Sequence, residues 1–84
     1  MATEQLGEYE FDYSGVRMTD VDGWGAYVAI YGPSPNPMHR NPIFHTQRVA
    51  VGAVFHSQEE AAAEAHKVAL AMLESGSHHG RPGV

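Results

Sequence analysis

The chain contains no cysteine among its 84 residues, which excludes a disulfide framework and any thiolate-ligated zinc site. Long hydrophobic runs are missing too, since no apolar stretch approaches the roughly 18–20 residues needed to span a bilayer. The opening residues Met1-Ala-Thr-Glu-Gln-Leu6 have neither a basic n-region nor an apolar h-region, so no signal peptide is expected. A soluble cytoplasmic protein is the default that these absences leave. Positive charge is scarce: Arg17, Arg40, Arg48, Lys67 and Arg81 stand scattered against ten acidic residues, for a formal charge of −5. Nucleic-acid modules concentrate lysine and arginine on one face to neutralise phosphates, so nucleic acid is a disfavoured partner. There is also no Gly-x-x-x-x-Gly-Lys phosphate loop and no Gly-x-Ser-x-Gly elbow. A domain this small rarely encloses the pocket that most enzymes need. The expectation is a non-enzyme, with no catalytic residue and no cofactor.

What the chain does have is an ordinary apolar fraction, 43%, which disfavours wholesale disorder. Its most informative stretch is Val49-Ala-Val-Gly-Ala-Val-Phe55-His-Ser57-Gln-Glu-Glu60, which reads as a strand running directly into a capped helix. Ser57 can accept a hydrogen bond from the Glu60 amide, while the Glu60 side chain reaches back to the Ser57 amide, as in a capping box. The helix, about Gln58 to Ser75, carries Ala61, Ala62, Ala65, Val68, Ala69, Met72 and Leu73 on one arc of roughly 140° at 100° per residue. Leu70 is the exception and points well away from that stripe. Alanine dominates the stripe, so the helix is expected to sit close against a sheet.

Upstream, Glu8-Tyr9-Glu-Phe11-Asp-Tyr13 alternates aromatic and acidic residues, the signal of a half-buried strand. Val16 and Met18 fall out of phase with it, so a bulge or kink at Gly15 is expected to return them to the core face. Asp22-Gly23 is a candidate type I′ turn leading into a second strand, Trp24 to Tyr31. There Ala26, Val28 and Ile30 share one face and Tyr27, Ala29 and Tyr31 the other. Gly32 to Pro42 is rich in proline and reads as a long loop. A third strand spans about Ile43 to Phe55, with Gly52 marking a bend or a close backbone approach. Residues 1–7 read as a disordered N-terminus, 8–75 as one domain, and 76–84 as a disordered tail.

Six histidines, His39, His45, His56, His66, His78 and His79, raise the question of a metal. The helix holds only His66, so the i, i+4 pair of a helical metal signature is missing and no metal ligand is assigned. The aromatics Tyr9, Phe11, Tyr13, Trp24, Tyr27 and Tyr31 match a single-strand nucleic-acid platform in composition, but without the cationic groove such platforms use. Aromatics at strand period are more often core or a protein-contact face. Tyr27, Tyr31 and Leu70 are the large groups that a helix–sheet core leaves over, so they are the candidate interaction residues, toward an unknown protein or a second copy.

The run from Phe55-His-Ser57-Gln-Glu-Glu60-Ala through the alanine-rich helix resembles small bacterial proteins in which Phe-x-[Ser/Thr]-x-x-Glu-Ala feeds a C-terminal helix. High alanine and glycine usage resembles that of high-GC proteobacteria, including Burkholderia-type hypothetical proteins; the resemblance implies architecture and no functional residue. The strand–helix order is also similar to double-stranded RNA-binding and AP2-type domains, whose basic residues are missing here. The fold expected is α+β: a three-stranded antiparallel meander, or a four-stranded one if residues 8–19 contribute a hairpin, packed on one C-terminal helix. The leading function is a non-enzymatic interaction or accessory module. The alternatives are a nucleic-acid-associated accessory protein and a weak histidine-based metal binder.

Overall fold

The structure, a computed structural model, describes residues 2–33 and 41–77. Residues 34–40 and 78–84, with His39, His78 and His79 and most of the anticipated loop and tail, lie outside the described residues. Four strands, β1 (Ala2–Leu6), β2 (Tyr9–Arg17), β3 (Trp24–Gly32) and β4 (Asn41–Val49), precede one helix, α1 (Gln58–Ser77). The strands form a single antiparallel sheet in the order β1-β2-β3-β4, and α1 packs on β2 and β3. This is the α+β architecture anticipated, with four strands; the fourth is Ala2–Leu6 and not part of a hairpin within residues 8–19, which hold the single strand β2.

The register shows why these residues choose these faces. Phe11 lies opposite Ile30, Tyr13 opposite Val28 and Gly15 opposite Ala26. The side chains of Phe11, Tyr13, Ala26, Val28 and Ile30 meet Ala65, Ala69 and Leu73 of α1 in one core, in which Phe11 and Val28 are the largest fully buried groups. Burying each such side chain stabilises the fold by about 1.5–3 kcal/mol. On α1 the fully buried residues Ala61, Ala65 and Ala69 recur every fourth position, so the seam toward the sheet is built from methyl groups.

Gly15 explains how close that seam is. A Cβ there would collide with the Gln58 carbonyl oxygen and lie 2.9 Å from the Ala61 methyl. The bulge anticipated at Gly15 is absent, because the β2–β3 register runs unbroken from Glu10 to Arg17. The glycine is there for proximity, and Val16 turns outward with 41% of its surface exposed.

Four further expectations are corrected. Ala2–Leu6, read as a frayed end, is a strand joined to β2 by the two-residue turn Gly7-Glu8. Gly7 has φ +63°, and Ala50 is the only non-glycine described residue with positive φ, so the turn has the pattern of type II′. The β2–β3 connection is not a two-residue Asp22-Gly23 hairpin; it spans Met18–Gly23, closed by Met18 N–H to Gly23 C=O at 3.0 Å. The third predicted strand ends early, at Val49, and the chain then turns through Ala50 (φ 50°), with Ala53 N–H donating to Ala50 C=O at 2.9 Å. Phe55 then pairs with Trp24 in an isolated bridge, which occupies the end of β3 beyond the last β4 pair, Ala26–Val49. Of the two readings of Gly52, the bend holds: it lies in this turn, and no atom stands near its Cβ position to make a close approach. Finally, α1 runs two residues past Ser75, through Gly76 and Ser77.

The helix start follows the capping logic with one change of partner. Glu60 N–H donates to Ser57 Oγ at 3.1 Å, and the Glu60 carboxylate accepts from the His56 amide at 3.0 Å in place of the Ser57 amide. Ser57→Ala is expected to cost about 0.5–2 kcal/mol in urea denaturation, and Glu60→Ala less, with losses that do not add fully because they share one motif. An unchanged midpoint for Ser57→Ala would contradict this start. Gly15→Ala should cost about 1–3 kcal/mol, since the added methyl pushes the helix off the sheet. A variant as stable as the parent would mean that the seam yields freely.

Candidate functional site

The face of the sheet turned away from α1 carries the candidate site. Because Val28 and Ile30 enter the helix-side core, strand alternation puts Tyr27 and Tyr31 on the opposite face. Among the described residues no helix or strand packs over it. Both tyrosines are half-buried. Two cross-strand rows organise them: Ser14 lies opposite Tyr27 and Tyr27 opposite Arg48, while Glu10 lies opposite Tyr31 and Tyr31 opposite Pro42.

Between these rows the face is polar and tightly closed. Asp12 is 5% exposed and accepts a hydrogen bond from Thr3 Oγ1 at 2.8 Å across the β1–β2 pair. Ser14 is 8% exposed, and its Oγ is buried without a hydrogen-bond partner among the described residues. The same holds for Arg48 Nε, although Arg48 Nη2 donates to the Ala53 carbonyl at 3.1 Å. Arg48 Nε, Met18 Sδ and the Tyr27 ring close over Gly25, at 3.2, 3.3 and 3.4 Å from where its Cβ would stand. The arrangement offers aromatic surface beside buried hydroxyl, carboxylate and guanidinium groups. It contains no pair of groups set out as nucleophile and base.

Leu70 does not belong to this surface. It is half-buried and packs against the helix–sheet core. On α1 it stands about 40° further round than His66, the residue that meets Glu4 of β1. The candidate set therefore separates into Tyr27 and Tyr31 on one face and Leu70 on the other.

The same flank holds a contact that sequence reasoning missed. His66 Nε2 lies 3.0 Å from Glu4 Oε1, and the ring packs edge-on against Tyr13 at 4.8 Å and tilted against Phe11 at 5.7 Å. The signal was local, in Gly7-Glu8 between two candidate strand ends, yet the polar run Ala2–Gln5 masked it. His45 and His56 are exposed. Among the described residues no three His, Asp or Glu side chains converge to hold a metal ion, and no helix is long and apolar enough to cross a membrane.

No protein-family model matches the chain, and no match emerges among curated proteins or solved structures.

His66→Ala should loosen β1 selectively. Amide exchange at the β1–β2 ladder is expected to accelerate about tenfold, the loss of roughly one buried contact, while the amides of Ala65–Leu73 keep their protection. Uniform acceleration in both elements would show that His66 supports the whole core instead.

Proposed function

We propose that this chain is a small non-enzymatic interaction module of the cytoplasm, and that a protein partner contacts the sheet face bearing Tyr27 and Tyr31. The observation that carries the reading is the row Ser14–Tyr27–Arg48, which holds two buried polar atoms without hydrogen-bond partners among the described residues, next to half-buried aromatic surface. Buried polar groups left unsatisfied cost about 1–3 kcal/mol each, so they are rare in a surface that serves packing alone. Tyrosine and arginine are the side chains most enriched at energetic centres of interfaces.

Nucleic acid is the weaker reading for a specific reason. Of the described cations, Arg17 pairs with Asp22 at 2.9 Å, Arg48 lies among Tyr27 and Met18, and Lys67 projects from the exposed side of α1. They share no face, so no phosphate track is formed.

The test compares the parent with Tyr27→Ser/Tyr31→Ser in cross-linking to co-purifying proteins, beside light scattering and DNA and RNA titrations. A partner or second copy should be held by the parent and lost about tenfold or more in the double variant, with the helical signal unchanged. Nucleic acid should show no saturable binding at tens of micromolar in physiological salt, an order-of-magnitude bound below typical non-specific affinity. Salt-sensitive low-micromolar nucleic-acid binding, or collapse of the fold on changing the tyrosines, would overturn the proposal.

A further inference from the structure

The two edges of the sheet are not treated alike. The β4 edge carries Pro42 and two breaks of register, between Val28 and Ile30 and between Ile30 and Tyr31. Prolines and bulges are the devices by which proteins blunt an edge against further strand pairing. The β1 edge has neither. Its pairing with β2 runs unbroken from Ala2–Tyr13 to Leu6–Tyr9, and its residues contain no proline or lysine. Leu6 and Tyr9 flank a two-residue turn as a hydrogen-bonded pair, so ladder alternation points the backbone N–H and C=O groups of Thr3 and Gln5 outward.

Side-chain space lies along this edge on the helix side. At one end, a cleft of about 340 Å³ is bounded by Ala2, Tyr13, Gly15, Gln58, Glu59 and Ala62. At the other, a cleft of about 350 Å³ is bounded by Leu6, Gly7, Tyr9, Leu73 and two carboxylate residues, Glu8 and Glu74. Both are lined mainly by apolar surface. Ala2 and Leu6 mark the two clefts, about 13 Å apart at strand rise, and Glu4 with its His66 contact stands midway on the same face. A strand laid beside β1 would therefore present three successive same-face residues to a cleft, a carboxylate and a second cleft.

Charge selects the occupant. Glu4, Glu8, Glu59 and Glu74 stand along the edge, and neither a lysine nor an arginine lines either cleft among the described residues. We infer that the β1 edge takes up an extended segment of a basic protein partner, adding it as a fifth strand that reads apolar-x-basic-x-apolar. Main-chain hydrogen bonds to Thr3 and Gln5 supply affinity, and the clefts with the central carboxylate supply selection. A second copy of this chain fits poorly, because a two-fold β1–β1 pairing brings the acidic edges of two chains of charge −5 together. The inference is independent of the tyrosine face.

The experiment uses the full chain and the acetylated, amidated peptide Thr-Leu-Thr-Lys-Thr-Leu-Thr, with its Leu-Thr-Glu-Thr-Leu counterpart, followed by fluorescence anisotropy. The lysine peptide should bind saturably and the glutamate peptide at least about tenfold more weakly. Gln5→Pro removes an outward amide without touching the β1–β2 ladder, and should weaken binding about tenfold, the order of one or two net hydrogen bonds. N-methylation of the peptide on its β1-facing amides should do the same. Glu8→Lys/Glu59→Lys, both at exposed positions, leaves Glu4 and Glu74 in place and balances the charge along the edge, so it should shrink the preference between the two peptides severalfold. Tyr27→Ser/Tyr31→Ser should leave binding unchanged, which separates this test from that of the tyrosine face. Absence of saturable binding at millimolar peptide, insensitivity to Gln5→Pro, or loss of binding in the tyrosine variant alone would each sink the inference.

Discussion

Everything else in this structure depends on how closely α1 approaches β2. Three alanines, Ala61, Ala65 and Ala69, are fully buried against the sheet, and Gly15 leaves its Cβ position to the Gln58 carbonyl and the Ala61 methyl. Methyl groups bury little area, so this seam contributes geometry more than hydrophobic free energy. The larger stabilisation comes from Phe11, Val28, Ile30 and Leu73, which fill the space the close approach defines. A helix held at that height and rotation carries His66 onto Phe11, Tyr13 and Glu4. The close approach at Gly15 thus supports one of the contacts that hold the outermost strand, beside its own ladder with β2.

Legibility in the sequence followed the physics of each signal. The α+β class, the aromatic-in alternation of β2, the phase of β3 and the capped start of α1 were all readable, because each rests on a period or a cap that tertiary context rarely reverses. Ala2–Leu6 was not readable by hydropathy: its strand is polar, and Thr3–Asp12 and Glu4–His66, partners 9 and 62 residues apart, hold it. Gly15 and the segment Val49–Phe55 misled in the same way. Each looked like a local backbone feature, a bulge in one case and a continuous strand in the other. The real determinants were non-local, the Gln58 carbonyl above Gly15 and the free end of β3 at Trp24 that Phe55 pairs with. The faces of Tyr27 and Tyr31 followed from alternation, whereas Leu70, off the apolar stripe by helical angle, still packs against the helix–sheet core.

The sheet's two faces answer different demands. The helix side excludes water with aliphatic and aromatic groups. The other side keeps Asp12, Ser14 and Arg48 among half-buried tyrosines, a costlier way to cover a sheet, since polar atoms lose water and, among the described residues, Ser14 Oγ and Arg48 Nε regain no hydrogen bond. Alternating apolar residues on that face would be cheaper for stability. They would also form a two-sided hydrophobic sheet, which invites non-specific association. The polar–aromatic composition of this face avoids that continuous apolar surface.

An outermost strand of five residues, three of them polar and four exposed, has little reason of its own to stay in place. Here it is fastened from both sides of the sheet. On the tyrosine side, Thr3 Oγ1 donates to buried Asp12; on the helix side, Glu4 meets His66, whose ring is itself held by two aromatics. The Glu4–His66 pair is about one-third exposed at the histidine, so solvent screening limits it to a modest contribution. The Thr3–Asp12 bond, with its acceptor buried, is the firmer of the two. Together they fix successive residues of β1 in opposite directions, which removes the freedom of the strand to twist away from β2. The outward groups of Thr3 and Gln5 are then presented in fixed register, and less ordering entropy remains to be lost when another strand pairs with them. A strand that sequence propensity leaves loose is held by its ladder with β2 and by these two side-chain contacts together.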